Sequence, residues 1–237
     1  MRLVCIMQPH FLPWAGYMNL IHNSNEFVFL NDVYFQKQSW QTRNRILING
    51  QVKYISFPIK GQSSKKLITE VELDNHELNL KKVIRKIEQS YARSPFKSDL
   101  TDVLDIIASQ TTENLVTLNT NLISDICVKL SINAEFHHSE NFAKRNSRVA
   151  RIVDIIKSLS ADIYVSPAGS EEYLTASKYV QETSVPVSFQ EFHCGVYTQQ
   201  KVDSFQSHLS IVDVIANIGF SGAEEYVKNG WSFNENR

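Results

Sequence analysis

No stretch of this 237-residue chain approaches the roughly 18 to 20 consecutive apolar residues that a membrane span needs. The amino terminus, MRLVCIMQPHF, has an apolar run of only five residues, Leu3 to Met7. A secretory signal needs about 7 to 15. Cysteine is scarce: Cys5, Cys127 and Cys194 are odd in number and lack CxxC spacing, which argues against a disulfide framework and a structural zinc site. Neither sign of charge dominates. With 24 Lys and Arg against 25 Asp and Glu, the net charge of -1 argues against a dominant nucleic-acid surface or a polybasic membrane patch. It leaves room for a local basic patch that holds one phosphorylated ligand. The expectation is a cytoplasmic, reduced protein with a small-molecule or protein partner, binding no nucleic acid and inserting in no membrane.

Two motif absences narrow the chemistry. The polar segment KGQSSKK, Lys60 to Lys66, lacks the second glycine of a phosphate-binding P-loop. The adjacent His137 and His138, with Glu135 and Glu140 nearby, show neither HxxxH nor HxH spacing, and adjacent strand residues diverge. No metal and no bound cofactor are expected.

What is present is an alternation of strands and helices at both ends of the chain. Leu3 to Met7 reads as a buried first strand, Gly16 to Ser24 as a helix and Glu26 to Leu30 as a second strand. Arg43 to Ile46, the turn Asn49-Gly50 and VKYISFPI read as a hairpin. His76 to Tyr91, Phe96 to Ser109 and Thr112 to Ser131 each carry apolar residues at helical spacing, so a helical block occupies about 76–131. Ala134 to His137 reads as a strand, and Ser147 as the start of a capped helix. ADIYVSPAGSEEYL then gives strand, sharp loop and helix start. VPVSFQEF is a strand, and two helices follow around HLSIVDVIANIG and GAEEYVKNGW. The fold class is α/β, a mostly parallel or mixed sheet with a central helical insertion, in one domain over 1–237.

Three clusters carry candidate chemistry. The first is the loop QPHFLPWAGY after the first strand, placed where ligands bind in open α/β sheets. Gln8 supplies hydrogen-bonding groups, His10 a proton acceptor, and Pro9 and Pro13 a fixed backbone. Trp14 and Tyr17 offer an apolar wall with polar edges. The alternative is a stiff loop whose aromatics plug the sheet.

The second cluster is Asp32 with KQSWQTRNR. Arg43 and Arg45 share one strand face and suit a diphosphate or carboxylate, with Lys37 upstream. Asp32 is a base, a sugar-hydroxyl acceptor or the partner of one arginine. The third is SPAGSEEY, Ser166 to Tyr173, where small residues and helix-start amides favour an anion; a plain helix start explains the same letters. Cys5 reads as a small core residue.

Together these stretches resemble the WbqC-like protein family of bacteria. The resemblance rests on QPHFLPWAGYMNLI, FVFLNDVYFQKQSWQTRNRI, YVSPAGSEEYL, and YTQQ with FQSHLSIVDVIANIG, spanning Leu3 to Gly219 in the family's order. Gln8, Pro9, Trp14, Gly16 and Tyr17 match the first motif, Asp32, Arg43, Asn44 and Arg45 the second, and Tyr164, Ser166, Gly169 and Tyr173 the third. Pro167 departs from the glycine that commonly follows that serine. The resemblance implies a place in surface-polysaccharide synthesis, O-antigen or capsule, and transfer of glycine or another acyl group to an amino sugar. On that reading His10 or Asp32 accepts a proton, and the acceptor is a sugar nucleotide. The donor is a thioester on coenzyme A or an acyl carrier protein. The alternatives are a nucleotidyltransferase-like enzyme and a non-catalytic sugar-nucleotide binding or assembly protein.

Overall fold

The computed structural model describes residues 1–61, 65–143, 148–175 and 179–230, with the side chains of Tyr173 and Thr175 outside the description. Its elements are β1 (Leu3–Met7), α1 (Ala15–His22), β2 (Glu26–Phe29), β3 (Arg43–Ile48), β4 (Gln51–Ser56), α2 (His76–Ser90), α3 (Lys97–Ala108), α4 (Leu115–Lys129) and β5 (Glu135–His138). They continue with α5 (Arg148–Ser158), β6 (Ile163–Pro167), α6 (Glu171–Thr175), α7 (Tyr179–Glu182), β7 (Val187–Gln190) and α8 (Ile211–Asn229). Ser147, the expected cap of α5, lies outside the described residues, as do Gln62 to Ser64 of the polar loop.

Five strands form one sheet in the order β5-β2-β1-β6-β7, every pairing parallel. Chain order therefore runs outward in one direction from β1 and then restarts on its other side with β6. That reversal is the topological switch point of doubly wound folds, whose ligands sit beyond the carboxyl ends of the strands. Side-chain alternation splits the core between the two faces. Cys5, Phe27, Phe29 and Val165 face one side and join a cluster with α1, the helical block and α8. Val4, Ile6, Val28 and Tyr164 face the other and pack with α5 and Tyr179 of α7.

The connection from β2 to β5 carries the antiparallel hairpin β3–β4 and then α2 to α4, so the expected helical insertion is a crossover. Its buried residues Leu80, Val83, Ile87, Val103, Ile107, Leu118, Leu122 and Ile126 belong to the same cluster as β1 and β2. Asn114 caps α4, its side chain accepting from the Thr117 amide at 3.1 Å.

The two carboxy-terminal helices expected from the sequence are present as the two segments of α8, which meet at a non-helical Gly219. Gly219 sits at φ 72°, and a Cβ there would lie 2.6 Å from the Phe96 ring. The Phe220 amide donates instead to Asp99 Oδ2 at 2.7 Å, which restarts the helix. Among the described residues, no helix is long and apolar enough to cross a membrane.

Candidate functional site

The loop leaving β1 is anchored from three directions. Asn44 of β3 donates from Nδ2 to the Phe11 and Leu12 carbonyls, and Asn119 of α4 donates to the carbonyls of Pro9 and Gln41. Ser210, the cap of α8, donates its hydroxyl to Leu12 O at 2.7 Å, and the Ile211 amide donates to Pro13 O. The Phe11 amide reaches Trp40 O at 2.8 Å. Leu12 is held at φ 42°, a left-handed conformation costly for a branched side chain. His208, two residues before Ser210, has φ 58°. Strained backbone over-determined by neighbours is a mark of functional loops.

Between this loop, the hairpin and the approach to α8 lies a cavity of about 230 Å³ lined by His10, Trp14, Trp40, Asn44, Arg45 and His208. The His208 imidazole stacks on Trp14, with ring centroids 4.7 Å apart, and Phe192 meets the same indole edge-on. Gly16 is required here, because a Cβ would stand 2.2 Å from the Trp14 ring. Arg45 lies over the Trp40 ring at 5.6 Å and donates from Nη2 to His208 O at 2.9 Å. Its Nε–H is buried without a partner among the described residues. Burial pushes His10 down to about 4. His208 is also lowered, by partial burial first and then by Arg45. At neutral pH the cavity thus presents two uncharged imidazoles, one guanidinium and two indoles. That combination suits a ligand with a ring, an anion and a proton to give up.

The structure brings His10, Trp14, Asn44 and Arg45 together, and it separates others. Tyr17 is buried behind the cavity, 5.0 Å from the His10 ring, and donates its hydroxyl to Gln8 O. The Gln8 side chain accepts from Gln41 Nε2 at 2.9 Å. Both therefore position the loop. Asn44 has committed its two amide hydrogens to the loop carbonyls and its oxygen to the Arg45 amide. Arg43 shares the Arg45 face but lies over the Tyr54 ring at 4.3 Å, and Lys37 is exposed on the preceding connection.

Asp32 is not among the cavity residues. It sits at the end of β2 in a buried ion pair with Arg151 of α5 at 2.9 Å, each side chain 7% exposed, and its Oδ1 accepts from the Ser139 hydroxyl. Of the roles considered for Asp32, the structure gives it an arginine partner, neither Arg43 nor Arg45. Tyr164 and Ser166 are buried on the opposite face of the sheet, the Ser166 hydroxyl 3.4 Å from that of Tyr164. Gly169 is exposed, and the side chain of Tyr173 lies outside the described residues.

Trp40 and His208 were missed as site residues. Trp40 lies in the run KQSWQTRNR and His208 in the stretch HLSIVDVIANIG, and neither residue type stands out there as a ligand contact. Only the tertiary fold sets them opposite His10. Two further groups are explained without a ligand. Asp213, fully buried at the start of α8, accepts from Tyr91 at 2.8 Å, Tyr197 at 2.7 Å and Gln199 at 3.0 Å; desolvation raises its pKa. The ligand atoms of Glu26, Glu135 and His137 lie within 4.8 Å of one another, with His137 bonded to Glu26 at 2.7 Å and Arg2 beside Glu26. This cluster lies where β2 and β5 begin and run together, away from the cavity.

Comparison with known proteins adds ancestry. The chain is 27% identical over 231 residues to the "Uncharacterized protein Rv1507c" of Mycobacterium tuberculosis, covering 96% of this chain and 98% of that one. No solved structure matches it. The model of the WbqC-like protein family matches residues 8–225, a span that holds the anchored loop, the hairpin, the cavity and the kinked helix, and the chain belongs to that family.

Proposed function

We propose that the protein is an acyl or aminoacyl transferase that modifies the amine of a nucleotide-linked amino sugar, in the synthesis of a bacterial surface polysaccharide. The carrying observation is the cavity that gathers a neutral His10, Trp14, Trp40, Arg45 and His208. Attack of an amine on a thioester needs an uncharged nitrogen, a place for its proton and fixed partners. His10, uncharged at neutral pH, accepts a proton from the nitrogen as the C–N bond forms, and the C–S bond breaks to release the donor's thiolate, which takes that proton and leaves as the free thiol. Arg45, with Arg43 further out, holds the diphosphate. The indoles pack against the sugar.

Cys5 and Cys127 are buried with pKa values pushed well up, and the cavity lining contains no thiol. The proposed transfer is therefore direct, without an acyl-enzyme, and the donor is a thioester on coenzyme A or a carrier protein. Asp32 acts from a distance, by fixing the end of β2.

A non-catalytic binder of the same ligand draws on one observation, the low basicity that burial imposes on His10. One assay separates the two readings. The full chain is incubated with a nucleotide-linked amino sugar and acyl or glycyl thioesters, and amide product is sought by mass spectrometry. Product with the wild-type chain, lost in His10→Ala, supports the transferase. Tight binding with no product from any donor refutes it.

A further inference from the structure

A row of exposed rings and half-buried arginines leads out of the cavity along the hairpin. Arg45 and Trp40 belong to the cavity wall. Beyond them Trp40 meets Tyr54 at 6.2 Å, and Arg43 covers the Tyr54 ring at 4.3 Å. Alternation along β3 puts Arg43 and Arg45 on one side, and the register pairs Arg45 with Tyr54. Trp40 is 40% exposed and Tyr54 45%, although large aromatic side chains gain most when buried. The core does not need them: the hairpin's other side supplies buried Ile46 and Ile55.

We infer that this row is a nucleoside-diphosphate site in which Trp40 and Tyr54 form the stacking platform for the base, and Arg45 and Arg43 hold the phosphates. The inference rests on the sugar-nucleotide reading above and adds a direction to it, sugar inward beside His10 and base outward on the hairpin. Three observations join in it. The rings are exposed and lie beside the cavity. Two guanidinium groups stand among them, on a chain whose net charge is -1 and offers no broad anion field. Arg45 also keeps a buried Nε–H without a partner among the described residues, a cost that a small shift of the guanidinium toward a phosphate relieves. Single-stranded nucleic acid uses similar chemistry, but it requires a basic groove that follows several phosphates. A row with two arginines is matched to one diphosphate.

The test uses the full chain and titration calorimetry with UDP, GDP, ADP, a nucleotide-linked amino sugar, glucosamine 1-phosphate and an oligothymidylate. At least one nucleoside diphosphate is expected to bind more tightly than glucosamine 1-phosphate. Tyr54→Leu should weaken that nucleotide about tenfold, the loss of one stacking partner. Tyr54→Phe, which keeps the ring, should leave it unchanged, and Arg43→Gln should weaken the diphosphate but not the sugar phosphate. Because Tyr54 is exposed, the variants should melt with the wild-type chain; if Tyr54→Leu does not fold, Trp40→Leu read against Trp40→Phe carries the same comparison. Equal binding of the nucleotide sugar by wild type and Tyr54→Leu overturns the platform and leaves the transferase reading standing. Ring-dependent binding of a nucleoside diphosphate without binding of any amino-sugar nucleotide sustains the platform and removes the transferase reading. Tighter, strongly salt-dependent binding of the oligothymidylate overturns the inference in favour of a nucleic-acid surface, as does failure of every nucleotide to bind.

Discussion

Removing Arg151 separates two roles for Asp32. The Asp32–Arg151 pair is almost entirely out of water, at 2.9 Å with each side chain 7% exposed, and Arg151 also donates to the Ser139 carbonyl. Deleting one member leaves a buried charge unpaired, which costs about 3 to 5 kcal/mol. Replacing both with uncharged residues of similar volume costs far less, and often nothing. Arg151→Met and Asp32→Asn should therefore each lower the midpoint of urea unfolding by about 1.5 to 2.5 M, taking a slope of about 2 kcal/mol per M for a chain of this size. The double variant Asp32→Leu/Arg151→Met should recover most of that loss, giving a coupling of several kcal/mol in a double-mutant cycle. Assayed at a temperature where it is folded, the double variant should retain transfer or binding. A fully folded Asp32→Asn that loses less than about 1 kcal/mol yet abolishes transfer would refute this reasoning and place the carboxylate in the chemistry.

Other perturbations follow from the same geometry. Gly16→Ala forces the Trp14 ring away from a Cβ only 2.2 Å distant, so thermal unfolding should show a loss of about 1 to 3 kcal/mol, and ligand affinity should fall with it. Asn119→Ala leaves the Pro9 and Gln41 carbonyls without their donor and should cost about 1 to 3 kcal/mol by denaturant titration, whereas Asn121→Ala nearby should cost much less. His10 has a folded-state pKa of about 4 against an unfolded value of 6.5. Between those values the unfolded chain binds the extra proton, so stability is intact above pH 6.5 and falls as pH drops toward 4, by about 3 kcal/mol from this group. His10→Gln should flatten that part of a stability-against-pH curve.

Much of the architecture was legible because local and global preferences agree. The short apolar run Leu3 to Met7, bounded by Gln8-Pro9, read as the buried strand that it is, and Asn49-Gly50 between two β-rich runs specified its hairpin. The helical block was visible in the spacing of Leu80, Val83 and Ile87. The division of α8 into two helices was also visible, in the stretches HLSIVDVIANIG and GAEEYVKNGW; what no local pattern showed is that Phe96 fills the Cβ position of Gly219 and Asp99 caps the restart.

The site was legible in part for the same physical reason. His10 and Trp14 lie on a conspicuous proline-rich loop, and Asn44 and Arg45 on the strand whose alternating arginines are visible in KQSWQTRNR. The partners of Asp32 and His10 come from 119 and 198 residues away, Arg151 on α5 and His208 before α8, and no local pattern encodes such distances. Ser166 reads as the first residue of the strand-to-helix turn SPAGSEEY; β6 instead continues through it to Pro167, and the parallel pairing with β7 buries it.

The central claim is that the His10 cavity is the place of binding. A crystal structure of the chain with a nucleotide-linked amino sugar tests it most directly. The account predicts the amine within about 3 Å of a His10 ring nitrogen, in the space between Trp14, Trp40 and His208, with the diphosphate on Arg45. A ligand seated against Ser166 and Gly169, or on the Glu26–His137 cluster, with the His10 cavity empty, would contradict it.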